Sequence, residues 1–155
     1  MCGNVQRSDL NPKLLQYADN GDMQMIACLL EFGADVNAKS LDGYTALIKA
    51  SINGNTELLE FLIKSGADIN ATTKHGFTAL LYAAKRGHFS AAELLVYKGA
   101  DVNAKDNFER TSLMHLARNG YIVLVKNLII EAKEKELSPT AFSFAIEGKF
   151  TIYIG

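Results

Sequence analysis

The words GADVNAK at 33–39 and 99–105, with GADINAT midway at 66–72, recur at a step of 33 residues. A fixed period of that length constrains the fold more than any local pattern. One supersecondary unit is being repeated, and each copy must make the same joint with its neighbour. Aligned on these words, the chain divides into units 11–39, 40–72, 73–105 and 106–138. Residues 1–10 are expected to be disordered or to cap the stack, and 139–155 to form a partial fifth unit or C-terminal cap.

Each unit repeats an inner grammar. Thr45, Thr78 and Thr111 stand where a helix N-cap is wanted, because a threonine hydroxyl accepts an orphan backbone N–H. Apolar or small residues follow at helical spacing: Leu47, Ala50 and Ser51 in one unit, Leu80, Ala83 and Ala84 in the next. Gly21, Gly54, Gly87 and Gly120 end this first helix. The buried face of a second helix is written by Leu58, Leu59, Leu62 and Ile63, and by Ala91, Ala92, Leu95 and Val96. An extended loop then runs out to a turn. Two short helices cannot bury their apolar faces alone, whereas a stack of them shares one core.

These words resemble the ankyrin repeat. GYTALIKAS at 43–51 and GFTALLYAAKRGH at 76–88 are similar to the front of that pattern, and GADVNAK is similar to its back. The resemblance implies an all-α solenoid of stacked helix–turn–helix units joined by hairpin-like loops near 38–44, 71–77 and 104–110. The departures are local. The family's proline after threonine is Ala46, Ala79 and Ser112 here, and its histidine two places on is Ile48, Leu81 and Met114. In the fourth unit Glu109 replaces the turn glycine found at Gly43 and Gly76, and Ala132-Lys133-Glu134 replaces Gly-Ala-Asp. Local opening is therefore expected to begin at the C-terminal end.

The resemblance also implies function: a non-enzymatic protein–protein interaction module that binds through loop tips and a concave groove. Positions without core duty carry the information. They are Leu41, Tyr44, Lys74, Phe77, Phe108 and Arg110 at the tips, with Tyr82, Lys85, Arg86 and Arg118 on the first helices. Aromatics framed by cations suit a protein or peptide partner with apolar anchors and acidic flanks. Phe77 and Tyr44 are expected to be removable without unfolding the stack. Asn37, Asn70 and Asn103 resemble the turn asparagine presented to an asparaginyl hydroxylase, with Leu29, Leu62 and Leu95 eight residues ahead of them. A docking or targeting segment of a larger protein, or of a secreted effector acting in a host cell, is the alternative.

Little in the sequence points to chemistry. His75, His88 and His115 lack partners at metal-ligand spacing, and no nucleophile elbow, P-loop or dinucleotide fingerprint occurs. No catalytic residue, metal or cofactor is expected. Asp35, Asp68 and Asp101 read as turn aspartates that bond local backbone. A net charge of −1 argues against nucleic acid, and no apolar run is long enough to span a membrane. Cys28 is expected as a small buried hydrophobe rather than the disulfide partner of Cys2, with an intracellular, cytoplasmic monomer as the setting.

Overall fold

The computed structural model describes residues 6–121 together with Lys126 and Ile130. The expected partial fifth unit at 139–155 lies outside the described residues, as does Cys2. A 3-10 turn at Arg7–Asp9 leads into seven helices: α1 Leu10–Asn20, α2 Met23–Glu31, α3 Ala46–Ile52, α4 Thr56–Lys64, α5 Ala79–Arg86, α6 Phe89–Tyr97 and α7 Ser112–Arg118. Among the described residues there is no strand, only an isolated bridge between Lys105 and Thr111.

None of these helices is long enough to persist alone in water. Their starts are fixed locally. The Thr45, Thr78 and Thr111 hydroxyls accept from the N–H groups of Ile48, Leu81 and Met114 at 3.2, 3.2 and 3.4 Å. Asp22 and Asn55 cap α2 and α4 in the same manner. At the equivalent place in the third unit His88 makes no cap bond. Its Nε2 donates instead to the Ile52 carbonyl at 2.8 Å, in the preceding unit. Tyr121, one period later, donates to the Gly87 carbonyl at 2.6 Å. Capping is thus exchanged for a joint between units. A Cβ on Gly54 would lie 2.6 Å from the His88 ring, so this joint also needs a glycine.

Packing supplies the rest. The first helices α1, α3, α5 and α7 pack successively in a row, each of the first three pairs with its own second helix, and α4 packs on α6. Leu14, Ile26, Leu29, Leu47, Leu58, Leu62, Leu80 and Leu95 lose all exposure between the layers. Fully burying one such side chain is worth about 2 kcal/mol. Ala50, Ala83 and Ala84 are buried with them and let the row close up. The Ser51 hydroxyl donates to the Ala79 carbonyl across the same joint.

A second ladder ties the loops. The side-chain oxygens of Asn11, Asn37 and Asn70 accept from the backbone N–H groups of Asp35, Asp68 and Asp101 at 2.9, 2.7 and 2.8 Å. Each of those aspartates in turn accepts from the N–H two residues on, at Asn37, Asn70 and Asn103. One expectation fails here. Cys28 is half-buried and disulfide-bonded, not a thiol among hydrophobes.

Candidate partner-binding face

Three hairpin-like turns project between units. In each, the first residue's N–H donates to the carbonyl of the fifth: Ser40 to Tyr44, Thr73 to Phe77 and Asp106 to Arg110. Adjacent tips also join edge to edge, Lys74 N–H to the Asp42 carbonyl at 3.0 Å and Asn107 N–H to the His75 carbonyl at 3.2 Å. The tips fold over the first helices. Tyr44 touches Tyr82 of α5, and Lys85 of α5 lies 4.8 Å from the centre of the Phe77 ring. Tips and first helices therefore share one face, the groove face.

The structure sorts the expected binding residues into two groups. Leu41 at 91% and Phe108 at 73% exposure stand clear of the tips. Lys74, Lys85, Arg86 and Arg118 are exposed, and Tyr44 and Arg110 are half-buried. Phe77 and Tyr82 are not surface anchors. They retain only 5% and 8% exposure and stack on each other with ring centres 4.7 Å apart. Phe77 also faces His115 at 6.3 Å. The expectation that Phe77 is removable without loss of fold is corrected: the tip closes down on α5 and α7 and makes this ring part of the core.

Sequence reasoning missed Asp106, which is 2% exposed. One carboxylate oxygen accepts from the N–H groups of Phe108 and Arg110 at 2.8 and 3.1 Å. The other accepts from Arg110 Nε at 3.0 Å and from His115 Nε2 at 3.2 Å. Burial opposes ionisation, but the four donors outweigh it and hold Asp106 below the usual carboxylate range. Burial, assisted by Arg110 and Lys85, likewise holds His115 below the ordinary imidazole value despite the carboxylate beside it. A signal was available: Ser40, Thr73 and Asp106 all place a side-chain oxygen four residues before the end of the tip. Ser40 and Thr73 use theirs to accept from Tyr44 and Phe77 N–H.

Charge on the groove face is weighted toward cations. Asp19 is paired with Lys49, Glu109 with Lys105 and Asp106 with Arg110, while the exposed Asp42 of the first tip forms no ion pair among the described residues. Among the described residues no acid lies within ion-pair distance of Lys74, Lys85, Arg86 or Arg118. The near-neutral net charge conceals this. On the opposite side Glu60 answers both Lys64 and Lys98, and these two hold its carboxyl below the usual range. Two of the three hydroxylation candidates are tied into joints by their side chains. Asn37 donates to the Gly66 carbonyl and accepts from Asp68 N–H, while Asn70 accepts from Asp101 N–H.

Among the described residues no group of histidines, cysteines and acids is placed to hold a metal ion, and no helix is long and apolar enough to cross a membrane. Stacked helical units with an open face define a repeat solenoid. The family model for ankyrin repeats (3 copies) matches residues 14–106, more than half of the chain, and the chain belongs to the ankyrin-repeat family. No curated protein matches it. Ankyrin repeats are generally protein–protein interaction modules, and the family is typically non-enzymatic.

Proposed function

We propose that this chain is a monomeric, non-catalytic binding module that takes a protein segment along its groove face, with apolar anchors at the tips and acidic flanks toward α5 and α7. The observation that carries the reading is the set of exposed cations at Lys74, Lys85, Arg86 and Arg118, which form no ion pair among the described residues, on the same face as the exposed Leu41 and Phe108. Stacking holds these groups rigid, so association costs little ordering entropy. The same face serves if the stack is a docking segment of a larger protein. The proposal puts no weight on compartment: a reducing setting leaned on a free Cys28, and Cys28 is disulfide-bonded.

Affinity capture with four forms of the full chain tests it. Wild type and the opposite-face variant Glu60→Ala should retain the same partner. Leu41→Ser with Phe108→Ser should lose it by roughly thirtyfold, as removal of anchor side chains does. Lys85→Glu with Arg86→Glu should slow association and alter its salt dependence. Loss with Glu60→Ala and retention by the groove variants would place binding on the other side. Hydroxylation of Asn37, Asn70 and Asn103 is a subsidiary proposal, and mass spectrometry that finds all three unmodified after exposure to an asparaginyl hydroxylase removes it.

A further inference from the structure

The first helices end on dipeptides at equivalent places, and three of them are Asn-Gly: Asn20-Gly21, Asn53-Gly54 and Asn119-Gly120, with Arg86-Gly87 in the third unit. Asn-Gly carries its own chemistry. Glycine has no side chain to shield its nitrogen, and that nitrogen can reach the amide carbon of the asparagine before it. The three dipeptides are identical, so the fold decides which of them reacts.

It holds two and leaves one. Asn53 Nδ2 donates to the Asp19 carbonyl at 2.9 Å, in the preceding unit. Asn119 Nδ2 donates to the carbonyls of Ala84 and Lys85 at 2.7 and 3.4 Å, again one unit back. Each of these amides is part of a joint and turns toward its glycine only when the joint opens. Among the described residues no first helix precedes α1, only the 3-10 turn at Arg7–Asp9, and no group is hydrogen-bonded to the exposed Asn20 side chain. The N–H groups of Gly21, Gly54 and Gly120 all donate into the last turn of their own helix, at 3.4, 3.2 and 3.1 Å. Every site therefore waits on fraying of that turn, which is cheap at a helix end. Asn53 and Asn119 wait on a joint as well.

We propose that Asn20 is a site of spontaneous deamidation that loosens the first joint, and that the other joints protect Asn53 and Asn119. With the last turn of α1 frayed, the Gly21 nitrogen gives its proton to hydroxide or water and forms a bond to Asn20 Cγ. The Cγ–Nδ2 bond breaks, ammonia leaves and a cyclic succinimide remains. Water then opens the ring. Addition at Cγ gives aspartate, and addition at the main-chain carbonyl gives isoaspartate, with the chain running through the side chain. Both products put a negative charge at the C-terminal end of α1, which the helix dipole disfavours. Isoaspartate also disturbs the cap in which Asp22 N–H donates to the Tyr17 carbonyl at 3.0 Å. Asp19, next along the chain, both pairs with Lys49 and accepts from Asn53, so the damage falls on the contact with the second unit.

The test is to age the full chain in mildly alkaline buffer and map its peptides by mass spectrometry, with isoaspartyl methyltransferase labelling to tell isoaspartate from aspartate. Asn20 should be converted about tenfold faster than Asn53 or Asn119, the margin that one hydrogen bond gives. In urea strong enough to unfold the chain the three rates should converge. Aged wild type should melt below fresh wild type. Asn20→Gln, which keeps the amide but moves it one carbon further out, should hold its melting temperature through ageing. Equal rates in the folded chain, or an order that persists in urea, would show that the fold does not choose the site and would overturn the proposal. Earlier conversion of Asn119 would show that the last joint opens more readily than α1 frays, and would overturn it as well. Conversion of Asn20 with no change in melting would overturn the loosening of the first joint.

Discussion

In the tips at 40–44 and 73–77 a glycine takes the left-handed position, with φ of 84° at Gly43 and 76° at Gly76, and a hydroxyl ties the turn. At 106–110 the same turn is made with Glu109 at φ 61° and a buried carboxylate in place of the hydroxyl. The residue that closes the turn changes as well: Tyr44 and Phe77 in the first two, Arg110 in the third. One shape is reached by two chemistries. The first two tips are held by backbone freedom and ring packing. The last is held by charge, and it carries strain, because an L-residue in the left-handed region costs about 1–2 kcal/mol.

The largest effect should separate the equivalent positions Phe77 and Arg110. Phe77→Ala leaves a cavity among Tyr82 and His115 and should destabilise by about 3–5 kcal/mol, whereas Arg110→Ala should cost about 1–2 kcal/mol. Urea unfolding measures both, and equal losses would erase the distinction. Next comes the acceptor. Asp106→Ala strands His115 and Arg110 and should cost about 3 kcal/mol, against about 1 kcal/mol for Thr73→Ala.

The turn residue should show opposite signs. Gly76→Ala forces a Cβ to within 2.7 Å of the Asn107 amide oxygen in a left-handed turn and should destabilise by about 1–2 kcal/mol. Glu109→Gly relieves strain but frees the unfolded chain and removes the Lys105 ion pair, so a gain of about 0.5 kcal/mol is expected. Faster amide exchange over 111–121 than over 78–88 in wild type, reduced by Glu109→Gly, would show that the strain sets where opening starts.

The smallest effect is in pH. His115 and Asp106 both have folded values below their unfolded ones, so each contributes stability that is present above its unfolded value and lost as pH falls. Stability should begin to decline below about pH 6.5 through His115, and again below about 4 through Asp106. His115→Gln should flatten the first slope when melting is followed from pH 7 to 5. An unchanged slope would mean that the third tip is no more acid-sensitive than the other two.

The repeat and its caps were legible because each depends on spacing along the chain. Thr45, Thr78 and Thr111 announce helix starts by residue type and register. The groove was only partly legible. Phe77 reads as a variable tip residue, since Tyr44 and Arg110 hold the same place, and only the closure of the tip onto Tyr82 and His115 makes it core. Asp106 looks like one more turn acid until the fold removes it from water. The disulfide at Cys28 had no local signal, because the residues around Cys28 read simply as a buried helix face.

The asparagine ladder has a consequence for how such a chain changes length. Asn37 offers an acceptor that fits Asp68, and Asn70 offers the same to Asp101. Donor and acceptor are carried on every unit that has both words, so a duplicated 40–72 would mate with its own copy. Insertion of one period would leave every other coupling in place and lengthen the groove by one place for a partner residue. The joints are interchangeable parts, and what the face recognises is edited without touching them.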